Sequence, residues 1–219
     1  MLSAGIAAAL VAVAVIVLVT RPSGTPVGPG STGAPPSGAG SGSVPPGHTP
    51  LALQLTRAVP ISVIGKDGQK SATAAGRAIQ TRLSELYDQT LADPSSWKEG
   101  PPAGTWEVFA SGIRARARQD AQAFTLGKAG PGMQQLTIGS ATVKVEVLLN
   151  QYGKVEGAEA NVAIDGTGQV QGSGAVQVSA RADLLLSFLS GRWVITGYPD
   201  AHVDVSTAPA SPSPTGSAP

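Results

Sequence analysis

Near the C-terminus, "DAHVD" sets Asp200, His202 and Asp204 at every second position. That spacing puts two carboxylates and an imidazole on one side of an extended chain, a set that can hold a cation. Three ligands on one strand rarely close a coordination sphere, so the segment reads as solvated tail and no metal site is expected. Tyr87 and Asp88 are the nearest approach to an acid–base pair, but Tyr87 falls on the apolar stripe of a helix, where its ring reads as core with the hydroxyl at the rim. In "GIRARARQD", Arg114 and Arg118 stand one helical turn apart with Arg116 offset. They would suit an acidic partner or anionic headgroups, although an exposed helix face explains them as well. Trp97 and Trp106 flank "KEGPPAG" and would either line the mouth of a pocket or simply pack. "GKDGQKS" has Gln69 where a phosphate loop needs Gly. "DGTGQVQGSG" lacks the acidic spacing of a calcium loop and reads as a turn and a bulge. His48 falls in a linker and His202 in the tail, so no catalytic residue is assigned and no cofactor is expected.

Composition narrows the setting of these residues. The chain has 219 residues, a formal net charge of +1 and no cysteine, which excludes disulfides and thiolate metal sites. Its Lys and Arg are scattered, so nucleic acid is not an expected partner. Residues 1–20 hold Ser3 and Thr20 as their only polar side chains. As a helix they would span about 30 Å, the thickness of a bilayer core. The run ends "VIVLVTRPSG" without a small-x-small cleavage site, so a retained anchor is expected over a cleaved signal peptide. Residues 21–50 are rich in Pro, Gly and Ser and read as a disordered linker, and 206–219 as a disordered tail. Arg21 follows the span, which by charge alone argues against an outside C-terminus. The uncharged linker suits passage through a cell wall and decides for a single-pass protein with its C-terminal domain outside the membrane.

Residues 51–205 then form the domain. Leu51, Leu53, Leu55, Val59, Ile61 and Val63 alternate as in a strand, which Pro60 confines to a sheet edge. Ala75, Ile79, Leu83, Leu86 and Tyr87 predict a helix over 71–93, with Pro94 as its stop. Trp106, Phe109, Ile113, Ala117, Ala121 and Phe124 predict a second helix from Thr105 to Phe124. Three alternating segments follow: Ala141 to Leu149, Ala158 to Ile164 and Val176 to Phe188, with turns at "QYGK" and "DGTG". Helices followed by an antiparallel meander make an α+β domain. If Ser190-Gly191 is a two-residue hairpin loop, Phe188 faces Trp193, Leu186 faces Ile195 and Leu184 faces Gly197. That register puts Phe188 and Trp193 in the core and leaves Tyr198 outward beside Asp183, as the one aromatic there to test for partner contact.

This layout, with "LYDQTLADPSSWKEG", "FASGIRARARQDAQAFTLGKAG", "VEVLLNQYGKVEGAEANVAI" and "GRWVITGY", resembles the nuclear transport factor 2-like superfamily. More narrowly it is similar to membrane-anchored or secreted actinobacterial proteins carrying such a domain. The resemblance implies helices packed on a curved, cone-like antiparallel sheet. Relatives include enzymes, pocket binders and assembly modules, so the fold implies no activity. The assigned inner face offers only apolar side chains, which favours a non-enzymatic interaction or assembly domain of an envelope transport or secretion system, with a protein partner. Binding of a small apolar ligand or lipid in the cone, or isomerase or dehydratase chemistry, are the alternatives.

Overall fold

The computed structural model describes residues 48–61 and 67–207. The expected span 1–20, the linker up to residue 47, Val63 and the tail from 208 lie outside the described residues. Among the described residues no helix is long and apolar enough to cross a membrane. The described domain is α+β. It runs from strand β1 (Gln54–Ile61) through helices α1 (Gly68–Tyr87), α2 (Ser96–Glu99) and α3 (Ser111–Gln119) to strands β2 (Met133–Leu149), β3 (Val155–Val170), β4 (Gly174–Leu189) and β5 (Arg192–Thr207).

The five strands form one sheet in the order β1-β2-β3-β4-β5. β2 to β5 are the expected antiparallel meander, but β1 pairs with β2 in parallel. The sheet is therefore mixed, and the long connection through the helices supplies the crossover that a parallel neighbour needs. β1 is an edge strand, as Pro60 requires. Its alternation is broken by a bulge at Thr56. Leu55 still faces inward, whereas beyond the bulge Ala58 pairs with Val145 on the inner face and Val59 and Ile61 pair with Glu146 and Leu148 on the outer one. The single inward row from Leu51 to Ile61 is thus corrected after Leu55.

α1 lies where its apolar period predicts, burying Ala72, Ala75, Ile79, Leu83 and Leu86, and ends in a π turn over Asp88–Ala92 before Pro94. It approaches β1 through Gly76, where a Cβ would lie 2.7 Å from the Cβ of Ala58. The second predicted helix is broken. A 3-10 segment spans Ala103–Val108, α3 covers only Ser111–Gln119, and a further 3-10 turn takes Ala121–Ala123. Between the first two, the extended backbone at Phe109 and Ala110 docks on β5, with the Ala110 N–H donating to the Ile195 carbonyl at 2.8 Å. The break lets Trp106, Phe109 and Phe124 converge, with centroids 5.3–6.3 Å apart, Phe124 meeting both other rings edge to face and Trp106 lying tilted on Phe109. One straight helix would have strung them along a single stripe.

"DGTG" is not a turn. Asp165 to Gly168 lie inside β3, and the turn comes at 171–173. Its glycines are required by the neighbouring strand, since a Cβ on Gly166 would meet the Thr137 carbonyl oxygen at 2.7 Å and one on Gly168 the Gln135 oxygen at 2.9 Å. The expected bulge falls across from it, at Gly139 of β2.

The last hairpin keeps its predicted turn and first pairs. Ser190 and Gly191 take positive φ of 50° and 79°, and Phe188 pairs with Trp193 and Leu186 with Ile195. Further on, β5 holds extra residues: Leu185 faces Gly197, and Asp183 faces Asp200. These bulges turn Tyr198 inward, onto Phe109 and Phe124 at 5.8 and 5.4 Å, which corrects its outward placement beside Asp183. Phe188 is corrected the other way. It stacks edge to face on buried Trp193 but is itself 51% exposed.

Candidate functional site

The polar side chains of α1 hold an extended segment that the sequence assigns to the linker. Asp88, Ser84 and Gln80, four residues apart, lie on one face of the helix. Asp88 accepts hydrogen bonds from the Leu51 N–H at 2.7 Å and from His48 Nε2 at 2.9 Å. Ser84 Oγ accepts from the Leu53 N–H at 3.0 Å, and Gln80 Nε2 donates to the Leu53 carbonyl at 2.6 Å. Farther up, Gln69 Nε2 donates to the Ala58 carbonyl at 2.9 Å. The helix thus stands in for the neighbouring strand that residues 48–53 lack, and it holds His48, near the end of the segment that the sequence assigns to the linker.

This detour has a structural consequence. β1 covers β2 only from Thr142 onward, because residues 48–53 have turned away to α1. β2 itself begins at Met133. The stretch 134–141 is therefore paired with β3 on one side, and among the described residues no other hydrogen bond reaches its backbone. The carbonyls of Gln135 and Thr137 press on β3. By alternation the N–H and C=O groups of Leu136 and Ile138 point to the open side. There a groove of about 790 Å³ lies between this edge and Thr49–Leu51, lined also by Pro94 and Trp97.

Bulges at Gln134 and Gly139 interrupt this edge, but no charge or proline guards it. Residues 134–141 read "QQLTIGSA", with no charge and no proline, although exposed edge strands usually carry such residues against unwanted pairing. The opposite edge, β5, has them: Pro199, Asp200, His202 and Asp204. There "DAHVD" is sheet edge and not solvated tail. His202 lies 3.2 Å from Asp200 and 3.7 Å from Asp204, and among the described residues no group of metal-ligating side chains forms a site.

The other singled-out residues disperse. Trp97 walls the groove, its Nε1 donating to the Leu91 carbonyl at 2.9 Å, whereas Trp106 is buried in the aromatic cluster. Arg114 is half-buried and donates to the Phe109 carbonyl at 3.2 Å, bracing the break before α3, and Arg118 reaches the Ala103 carbonyl at 3.4 Å. Tyr198 donates to Asp120 Oδ2 at 3.0 Å. Burial first, and then that hydrogen bond and the nearby carboxylate charge, push its phenol above the usual range. Burial alone pushes Tyr87 farther in the same direction. Tyr87 is fully enclosed, and among the described residues no hydrogen bond reaches its hydroxyl, so it is not joined to Asp88 in a proton-transferring pair. The outer face of the sheet carries solvated pairs, Lys144 with Glu146 at 2.6 Å and Arg181 with Asp165 at 2.7 Å, which hold both carboxyls below their usual range.

The open edge is the feature that sequence reasoning missed. Its signal was present in the charge-free run from Gln134 to Ala141, but only the parallel register of β1 shows that, among the described residues, this run has no partner on its outer side. No family model, curated protein or solved structure matches the chain.

Proposed function

We propose that this domain is a non-enzymatic protein-interaction module that takes up an extended, uncharged peptide segment along the open edge of β2. The observation that carries the reading is the edge at 134–141, uncharged and, among the described residues, unpaired on its outer side, beside its groove. An added strand would bond to the free backbone groups of Leu136 and Ile138, with Trp97 and Pro94 lining the groove beside it. With the apolar span expected at 1–20 and the uncharged linker, the module is assigned to the outer face of a cell membrane, as an assembly component of an envelope transport or secretion system. The resemblance to nuclear transport factor 2-like domains belongs to the same reading and is supported by the helices laid over the meander β2–β5.

The test uses the full chain in its native envelope, with a photo-crosslinking residue at Thr137, which is exposed on the edge. The expected result is a discrete protein adduct that disappears with Gln135→Lys, together with slowed exchange of the Leu136 and Ile138 amides once the captured segment is added as a peptide. Recovery of lipid alone, or an adduct indifferent to Gln135→Lys, would refute the reading.

A further inference from the structure

A second surface lies at the other end of the sheet and is independent of the open edge. β3 begins where β4 ends, with Ala158 beside Leu186, so the β2–β3 and β4–β5 turns emerge side by side. The first turn carries Tyr152, 77% exposed, and Lys154. The second carries Phe188 and Leu189, 51% and 49% exposed, and Arg192. The remaining exposed large apolar side chains of the described residues, Ile61, Leu148 and Leu185, lie toward this same end.

Apolar exposure concentrated at one end is not random surface. Each of the two turns also carries a cation. Among the described residues the ion pairs use Arg82, Arg116, Lys144, Arg181 and the two histidines, so both tip cations, Lys154 and Arg192, lack a carboxylate partner. Two exposed acids, Glu156 and Glu159, stand near them, Glu159 opposite Leu185. Each turn thus pairs an aromatic or aliphatic projection with a free cation. That combination matches the membrane–water interface, where rings sit at headgroup level and Lys or Arg meets anionic phosphate.

We propose that the two hairpin tips form a lipid-surface contact, selective for anionic headgroups, into which Tyr152, Phe188 and Leu189 insert. From Ser140, beside the groove, to the tip at Asn150 is about 30 Å along β2 at ~3.3 Å per residue. The domain would then meet a bilayer with one end and keep the groove clear of it.

The experiment uses residues 43–219, a compact unit that holds the whole hydrophobic core of the described residues and so is expected to fold by itself. It is mixed with phosphatidylcholine vesicles with and without phosphatidylglycerol. The expected result is co-sedimentation with the anionic vesicles that weakens as salt rises. The pair Phe188→Ser and Leu189→Ser should lower it about tenfold. The pair Lys154→Gln and Arg192→Gln should remove the preference for anionic lipid. Thermal melts confirm that the variants fold, and Gln135→Lys should leave vesicle binding unchanged, which separates this surface from the strand edge. No binding to either vesicle, binding indifferent to the tip substitutions, or self-association abolished by them in the absence of lipid would each overturn the proposal.

Discussion

Gly76 is where α1 comes closest to the sheet, and Gly76→Ala sets two large effects against each other. In a solvated helix this change stabilises by about 0.8–1.0 kcal/mol. Here the new Cβ would sit 2.7 Å from Ala58 Cβ and 3.3 Å from Leu55 Cδ2. Carbon atoms prefer about 3.5–4.0 Å, so α1 must back away from β1 by about 1 Å, since Ala58 Cβ cannot swing aside. Such overpacking costs about 1–3 kcal/mol. The retreat also stretches the bonds from Gln80 and Ser84 to Leu53, now 2.6 and 3.0 Å. The expected net effect is a loss of about 1–2 kcal/mol. Ala58→Gly removes the atom that is struck and should restore much of that loss in the double variant, although alone it destabilises β1 by about 0.5–1 kcal/mol. Urea unfolding of the four proteins in the cycle measures the coupling. If Gly76→Ala stabilised the domain, or if the two changes simply added, the packing account of this contact would be wrong.

Three further outcomes follow from the same contacts. Tyr198→Phe keeps the ring on Phe109 and Phe124 but removes the bond to Asp120, so it should lower stability by about 0.5–1.5 kcal/mol, measured by urea unfolding. Asp88→Ala leaves the Leu51 N–H without its acceptor, and the Leu51 and Leu53 amides should exchange faster by an amount equivalent to about 1–3 kcal/mol, with β3 and β4 protected as before. Tyr87 and Tyr198 both have phenols raised above the ordinary range. Stability is therefore fully present below about pH 10, where unfolded tyrosines begin to ionise, and is lost as pH rises beyond it. Tyr87→Phe should flatten that alkaline limb in urea melts run from about pH 9 to about pH 11.

Local pattern alone was enough for much of the fold. The period of Ala75, Ile79, Leu83 and Leu86 located α1, and Pro94 its end. Strict alternation located β2 and β4, and Ser190-Gly191 located the last hairpin with its first pairs. These signals are legible because each depends on a residue and its near neighbours, through backbone period, φ preference or turn chemistry. Of the residues lining the candidate groove, Trp97 alone stood out in the sequence as a candidate for binding.

What the tertiary structure decided turns on single inserted residues and on partners distant in sequence. Bulges at Thr56, at Gly139 and before Asp200 each shift the inward row of a strand. They send Ile61 outward and Tyr198 inward, against a straight count. A bulge is set by what the neighbouring strand and helix require, so no period within one strand records it. The glycines of "DGTG" carry the same dependence, made necessary by carbonyls of β2 some thirty residues earlier. The open edge goes furthest in this direction. Its residues are visible from the start, but their availability follows from Asp88, Ser84 and Gln80 drawing residues 48–53 away from β2, a choice made between two elements by side chains of a third.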